Sequence, residues 1–81
     1  MNNDSNLSEI KSSTIDNLMK FWVLFLKNTK VFSKEDGNSL KMFAQSVEFY
    51  VDHQQYNRAL QESQDLVNHT LNLIKQNNES S

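Results

Sequence analysis

Cysteine is absent from this chain, proline is absent, and glycine occurs once, at Gly37. Without cysteine there is no disulfide, no thiolate metal ligand and no thiol nucleophile. Without proline, and with a single glycine, a succession of tight hairpins is disfavoured, because such turns draw on Gly, Asn-Gly or Asp-Gly. One glycine also cannot build a phosphate-cradling loop. The longest uninterrupted apolar run is Phe21 to Leu26, far short of the roughly 18–20 residues that a membrane span needs. Met1 to Ser13 is polar and acidic rather than basic and then apolar, so no secretory leader is expected. Asn-X-Ser/Thr triplets at Asn3, Asn6, Asn68 and Asn78 are what chance gives in a chain so rich in Asn and Ser. The expected location is intracellular, in cytoplasm or nucleus.

A chain of 81 residues is one lean domain. Chains of this size hide only about 60% of the surface that their unfolded form exposes, and they commonly gain stability from a disulfide, a metal or a partner chain. With no cysteine, packing against itself or a partner is the reinforcement left. The net charge of −2 lacks the basic excess of a nucleic-acid binder. Lys20, Lys27, Lys30, Lys34 and Lys41 nevertheless fall in one stretch whose only acids are Glu35 and Asp36.

Apolar periodicity points to helices three times. Ile15, Leu18, Met19, Trp22, Phe25 and Leu26 share one helical face, which predicts a helix over 14–28 with Ser13 as its cap and Asp16 in its first turn. Leu7 and Ile10 either extend that helix backwards or pack as a loose arm. After a connector over 29–33, Ser33 is the expected cap of a second helix, with Glu35 and Asp36 at the positive end of its dipole. Gly37 falls in that first turn, so a start at Ser39 is the alternative. Leu40, Phe43, Ala44, Val47, Tyr50 and Val51 repeat the stripe. Gln54 and Arg58 then stand where apolar residues would continue it, so the helix is expected to end near Asp52. Asp52 and Gln55 have capping-box spacing, which starts a third helix over 53–75. Its stripe is Tyr56, Leu60, Ser63, Val67, Leu71 and Ile74, widened by Ala59, Leu66 and Leu73. The expected fold is all-α, a small antiparallel three-helix bundle. The alternative is a two-helix hairpin in which the last two helices merge. Residues 1–12 read as a polar, flexible arm, 13–76 as the domain and 77–81 as a disordered tail.

Apolar residues off these stripes are the candidates for function. Phe21, Val23 and Leu24 make the first helix greasy nearly all round, and such a helix is expected to be buried on all sides. Met42 and Phe49 lie one heptad apart on the second helix, rotated away from its stripe. One reading has these residues filling an irregular core. The other is a patch covered by another protein chain, either a second copy or a different subunit. The expected partner-binding residues are Phe21, Val23, Leu24, Phe25, Met42 and Phe49. The lysines read as a solvated face, with contact between a basic aromatic helix and an anionic membrane surface as the alternative.

Little in the chain suggests chemistry. His53 and His69 stand far apart with no carboxylate at metal-site spacing. Glu62 and Asp65 pair on the polar face of the third helix, with no acid fixed opposite. No serine stands beside a histidine in an activating arrangement. The aromatics Trp22, Tyr50 and Tyr56 fall on core stripes rather than on a stacking platform. The expectation is a non-enzyme without cofactor, metal, nucleic acid or small-molecule substrate.

The run Tyr56-Asn57-Arg58-Ala59-Leu60 after a polar turn resembles the second helix of a tetratricopeptide-type hairpin. It also resembles, faintly, the helical bundle shared by the steroid receptor RNA activator protein and the C-terminal end of the outer COPII coat subunit. Both resemblances cover about residues 40–74. A repeat array needs about three units, and this chain has room for one or two. What the resemblances imply is a scaffold or adaptor role.

Overall fold

The computed structural model describes residues 3–80, with side chains for residues 6–78. Three helices form: α1 over Asn3–Lys27, α2 over Lys34–Asp52 and α3 over Tyr56–Ser80. Consecutive helices reverse direction, so the fold is the expected small all-α three-helix bundle. α3 packs against both α1 and α2. None of the helices described is long and apolar enough to cross a membrane.

α1 starts well ahead of Thr14. Ser13 lies inside the helix, so it is no cap, and Leu7 and Ile10 extend the helix rather than forming a separate arm. Two contacts hold this extension. The Thr14 hydroxyl donates to the Ile10 carbonyl at 2.8 Å, closing one turn from within a fully buried position. The Lys11 ammonium lies 5.3 Å from the centre of the Tyr56 ring, within cation–π range. Met1, Asn2 and Ser81 lie outside the described residues. Residues 77–80, set apart as a tail in the sequence reading, continue α3 past Lys75.

α2 starts where its cap demands. Ser33 adopts an extended backbone (φ −66°, ψ 165°), and its side chain accepts from the Asp36 N–H at 3.0 Å. That bond satisfies one of the free amides of the first turn and decides against a start at Ser39. α2 ends in a different way from the one the sequence suggests. Asp52 is its last residue, not the cap of α3. The N–H of Gln55 donates to the Tyr50 carbonyl at 2.8 Å and that of Gln54 to Val51 at 3.0 Å, the paired bonds of a Schellman turn. Gln54 provides the left-handed residue at φ 63°. This turn separates α2 from α3, so the merged two-helix alternative is not what forms.

Two long-range hydrogen bonds hold α3 beside α1 and the connector that follows it. The Asn17 amide donates to the Ser63 hydroxyl at 3.0 Å, and the Asn77 amide donates to the Val31 carbonyl at 2.8 Å, each pair 46 residues apart in sequence. Asn17 lies on α1 and Val31 beyond its end, while Ser63 precedes Asn77 on α3, so α3 runs in the same direction as α1. Side chains on α3 explain the closeness: Ala59, Ser63 and Thr70 are small and fully buried, so the backbones can approach. Ser63 and Thr70 turn their hydroxyls back onto the carbonyls of Leu60 and Leu66 at 2.7 and 2.8 Å, which removes the cost of burying them. The molecule measures 52 × 19 × 15 Å. A 25-residue helix is only about 37 Å long. The extra length is stagger, with α1 overhanging one end and α3 the other.

Between α1 and α2 the filling is aromatic. Phe25 stacks on Phe32 with centroids 5.4 Å apart and meets Trp22 edge-on at 5.8 Å, while Phe21 meets Trp22 at 4.8 Å. Gly37 on α2 lies against the Phe25 ring. Leu40, Ala44 and Val47 of α2 complete the core with Leu66 and Val67 of α3.

Candidate functional site

The expected contact residues divide sharply. Phe21 is 0% exposed and Phe25 7%, so both belong to the protein's own core and neither offers a surface to a partner. This corrects their assignment as partner-binding residues. The physical reason is the ring cluster just described, which takes up both side chains. Leu24 is half-buried and packed against the same core. Val23, Met42 and Phe49 remain open, at 51%, 67% and 53% exposure.

Three residues that the sequence placed on the core stripe of α1 are in fact outside it. Ile15, Met19 and Leu26 are exposed, Met19 at 61% and Leu26 at 68%. The helix is rotated relative to its apolar pattern, because Thr14 and Asn17 face the bundle and Phe21 takes the deepest position. With Val23, the exposed residues form a row that steps by four, four and three along α1, so successive members are neighbours. Trp22, half-buried, borders it.

A second row lies on α2. Met42 and Phe49 border a shallow groove of about 340 Å³ together with Gln45, Ser46 and Tyr50. The His53 ring stacks on Phe49, centroids 3.9 Å apart and planes 24° from parallel. Its Nδ1 donates to the Phe49 carbonyl at 2.9 Å, which fixes the ring over the end of α2. At about 100° per residue, Met19 and Leu26 lie roughly opposite Phe21 around α1, and Met42 and Phe49 roughly opposite Ala44 around α2. Each row points away from the shared core, so the surplus apolar surface is two separate rows and not one face.

The lysines are likewise divided. Lys20, Lys27, Lys30, Lys34 and Lys41 are all exposed, with Lys20 and Lys27 on α1. Lys34 and Lys41 border a recess by the connector with Phe25 and Phe32, and the Lys41 ammonium lies 5.9 Å from the Phe25 ring centre. The side chains of these surfaces can bury apolar area and form charge pairs; among the described residues no group of three or more His, Asp or Glu gathers as a metal site would need.

No protein-family model matches the chain, and comparison with curated proteins and with solved structures gives no significant match.

Proposed function

We propose that this chain is a non-catalytic helical protein–protein interaction module, a small adaptor or a subunit of a larger assembly, working in cytoplasm or nucleus. The observation that carries this reading is the exposure of Ile15, Met19, Val23 and Leu26 in one row on α1, with a separate row of Met42 and Phe49 on α2. Scattered apolar residues on a surface are ordinary. A continuous row along a helix is different, because it offers the i, i+4, i+7 anchors by which helices are recognised. The small core adds a motive, since a lean domain gains stability from any partner that binds only its folded state. Peripheral membrane contact through α1 draws less support, because Phe25 is taken up in the core and Trp22 is half-buried against it.

The test is affinity purification from source cells with the wild-type chain and with two surface variants, Met19→Asp/Leu26→Asp and Met42→Asp/Phe49→Asp. Circular dichroism should show all three folded, since every changed residue is exposed. Loss of a specific retained protein, including a second copy of the chain, in at least one variant is the expected result. Identical retained proteins in all three samples would sink the reading.

A further inference from the structure

The charges beside the α1 row are ordered along the helix. Glu9 and Asp16 precede Lys20 and Lys27 along the helix, and all four are exposed. At about 100° per residue they fall within roughly 40° of one another, on the side of the apolar row next to Val23. Lys30, also exposed, continues the basic end into the connector. A helix edge that is acidic at one end and basic at the other is complementary to itself only when reversed. Set parallel about a two-fold, the two edges fall on opposite sides of the apolar seam and no Asp16–Lys27 pair forms; set antiparallel, they fall on the same side and face each other.

The apolar spacing agrees with the same arrangement. Ile15, Met19, Trp22 and Leu26 step by four, three and four, the heptad rhythm that keeps a seam continuous between two packed helices. Reversed about a point beside residues 20 and 21, Ile15 of one copy meets Leu26 of the other, and Met19 meets the open edge of Trp22. The same register brings Asp16 near Lys27, and Glu9 near Lys30, on both sides of the axis; it also sets the two exposed Lys20 side chains against each other at the axis, one unfavourable contact against four favourable ones.

We infer that the α1 row is a homodimer contact: two copies of this chain pair antiparallel through α1 about a two-fold axis. This rests on the interaction-module reading and names the partner. Isologous pairing of this kind is the commonest form of oligomer. It covers Ile15, Met19, Val23 and Leu26 on both copies and leaves the Met42 and Phe49 row free.

The absence of cysteine from the sequence makes a direct test available. Ile15→Cys and Leu26→Cys chains are oxidised separately and as a mixture. The mixture should cross-link into a dimer of twice the 9.5 kDa chain mass, whereas each alone should not. In the reversed arrangement, identical positions sit about 16 Å apart along the axis, beyond the reach of a disulfide. Charge supplies the second arm. Asp16→Lys should weaken dimerisation roughly tenfold by light scattering, and adding Lys27→Asp to it should restore the wild-type affinity. Efficient cross-linking of each variant with itself, or a wild-type chain that keeps its monomer mass through a concentration series, overturns the inference. A monomer whose Met19→Asp/Leu26→Asp form loses a different protein in the purification would leave the interaction reading standing and the self-pairing refuted.

Discussion

The side-chain amide of Asn17 donates to the hydroxyl of Ser63 across the α1–α3 contact at 3.0 Å, while that hydroxyl donates in turn to the Leu60 carbonyl at 2.7 Å. Ser63 is fully buried, and this pair of bonds uses it as both donor and acceptor. Replacing Asn17 by Ala leaves Ser63 still bonded to Leu60, so the cost should be limited to about 1 kcal/mol, the usual net worth of one hydrogen bond. A double-mutant cycle of Asn17→Ala with Ser63→Ala in urea should return a coupling of roughly 0.5–1.5 kcal/mol. Strict additivity would mean that the bond contributes nothing.

Phe21 and Met19 lie two residues apart and on opposite sides of α1. Phe21→Ala empties the deepest position of the ring cluster and should destabilise the monomer by about 3–5 kcal/mol, enough to unfold much of a domain this small. Met19→Ala should change monomer stability by less than about 0.5 kcal/mol, as surface changes do. Thermal unfolding of both in dilute solution separates the core from the exposed row.

Gln54 adopts φ 63° at the α2–α3 turn, a conformation that costs a non-glycine residue roughly 1 kcal/mol. Gln54→Gly should therefore raise the unfolding midpoint, by an amount corresponding to about 0.5–1 kcal/mol. A β-branched replacement such as Gln54→Val should lower it. A destabilising Gln54→Gly would show that the side chain contributes something that the turn geometry does not require.

Gly37 lies in the first turn of α2, and a Cβ added there would stand 3.9 Å from the Phe25 ring, an ordinary contact distance. Its backbone needs no left-handed conformation, since the structure has no positive-φ glycine among the described residues. Gly37→Ala should then gain about 0.5–1 kcal/mol of helix propensity without strain. Urea denaturation would register it as a higher midpoint at unchanged slope.

What the sequence disclosed depended on how much phase each segment carried. α2 was legible because Ser33 and the Leu40, Ala44, Val47 spacing point to one start and one face, and both are as observed. α1 was legible as a helix but not in its rotation. Phe21 to Leu26 is apolar all round and defines no side. The residues that do face α3 include Thr14 and Asn17, whose polarity disguises them as surface until their hydrogen bonds are seen. The apolar pattern therefore turns Ile15, Met19 and Leu26 inward and leaves Phe21 off the stripe, while Phe25 stands both on the stripe and among the contact candidates. The break after Asp52 was readable from the loss of the stripe. Its mechanism was not, because a left-handed Gln54 is a backbone solution that residue type does not announce.

The separation of 46 residues between Asn17 on α1 and Ser63 on α3 also has a kinetic meaning. Joining Asn17 to Ser63 closes a loop longer than half the 81-residue chain, whereas the α2–α3 turn closes over a few residues. Loop-closure entropy makes the late step the docking of α1 onto a hairpin already formed. Mutations at Ala44 or Val47 should accordingly slow refolding, while Asn17→Ala should chiefly speed unfolding; stopped-flow rates showing the reverse would place α1 in the nucleus. Of the three helices, the one synthesised first is thus the last to find its place.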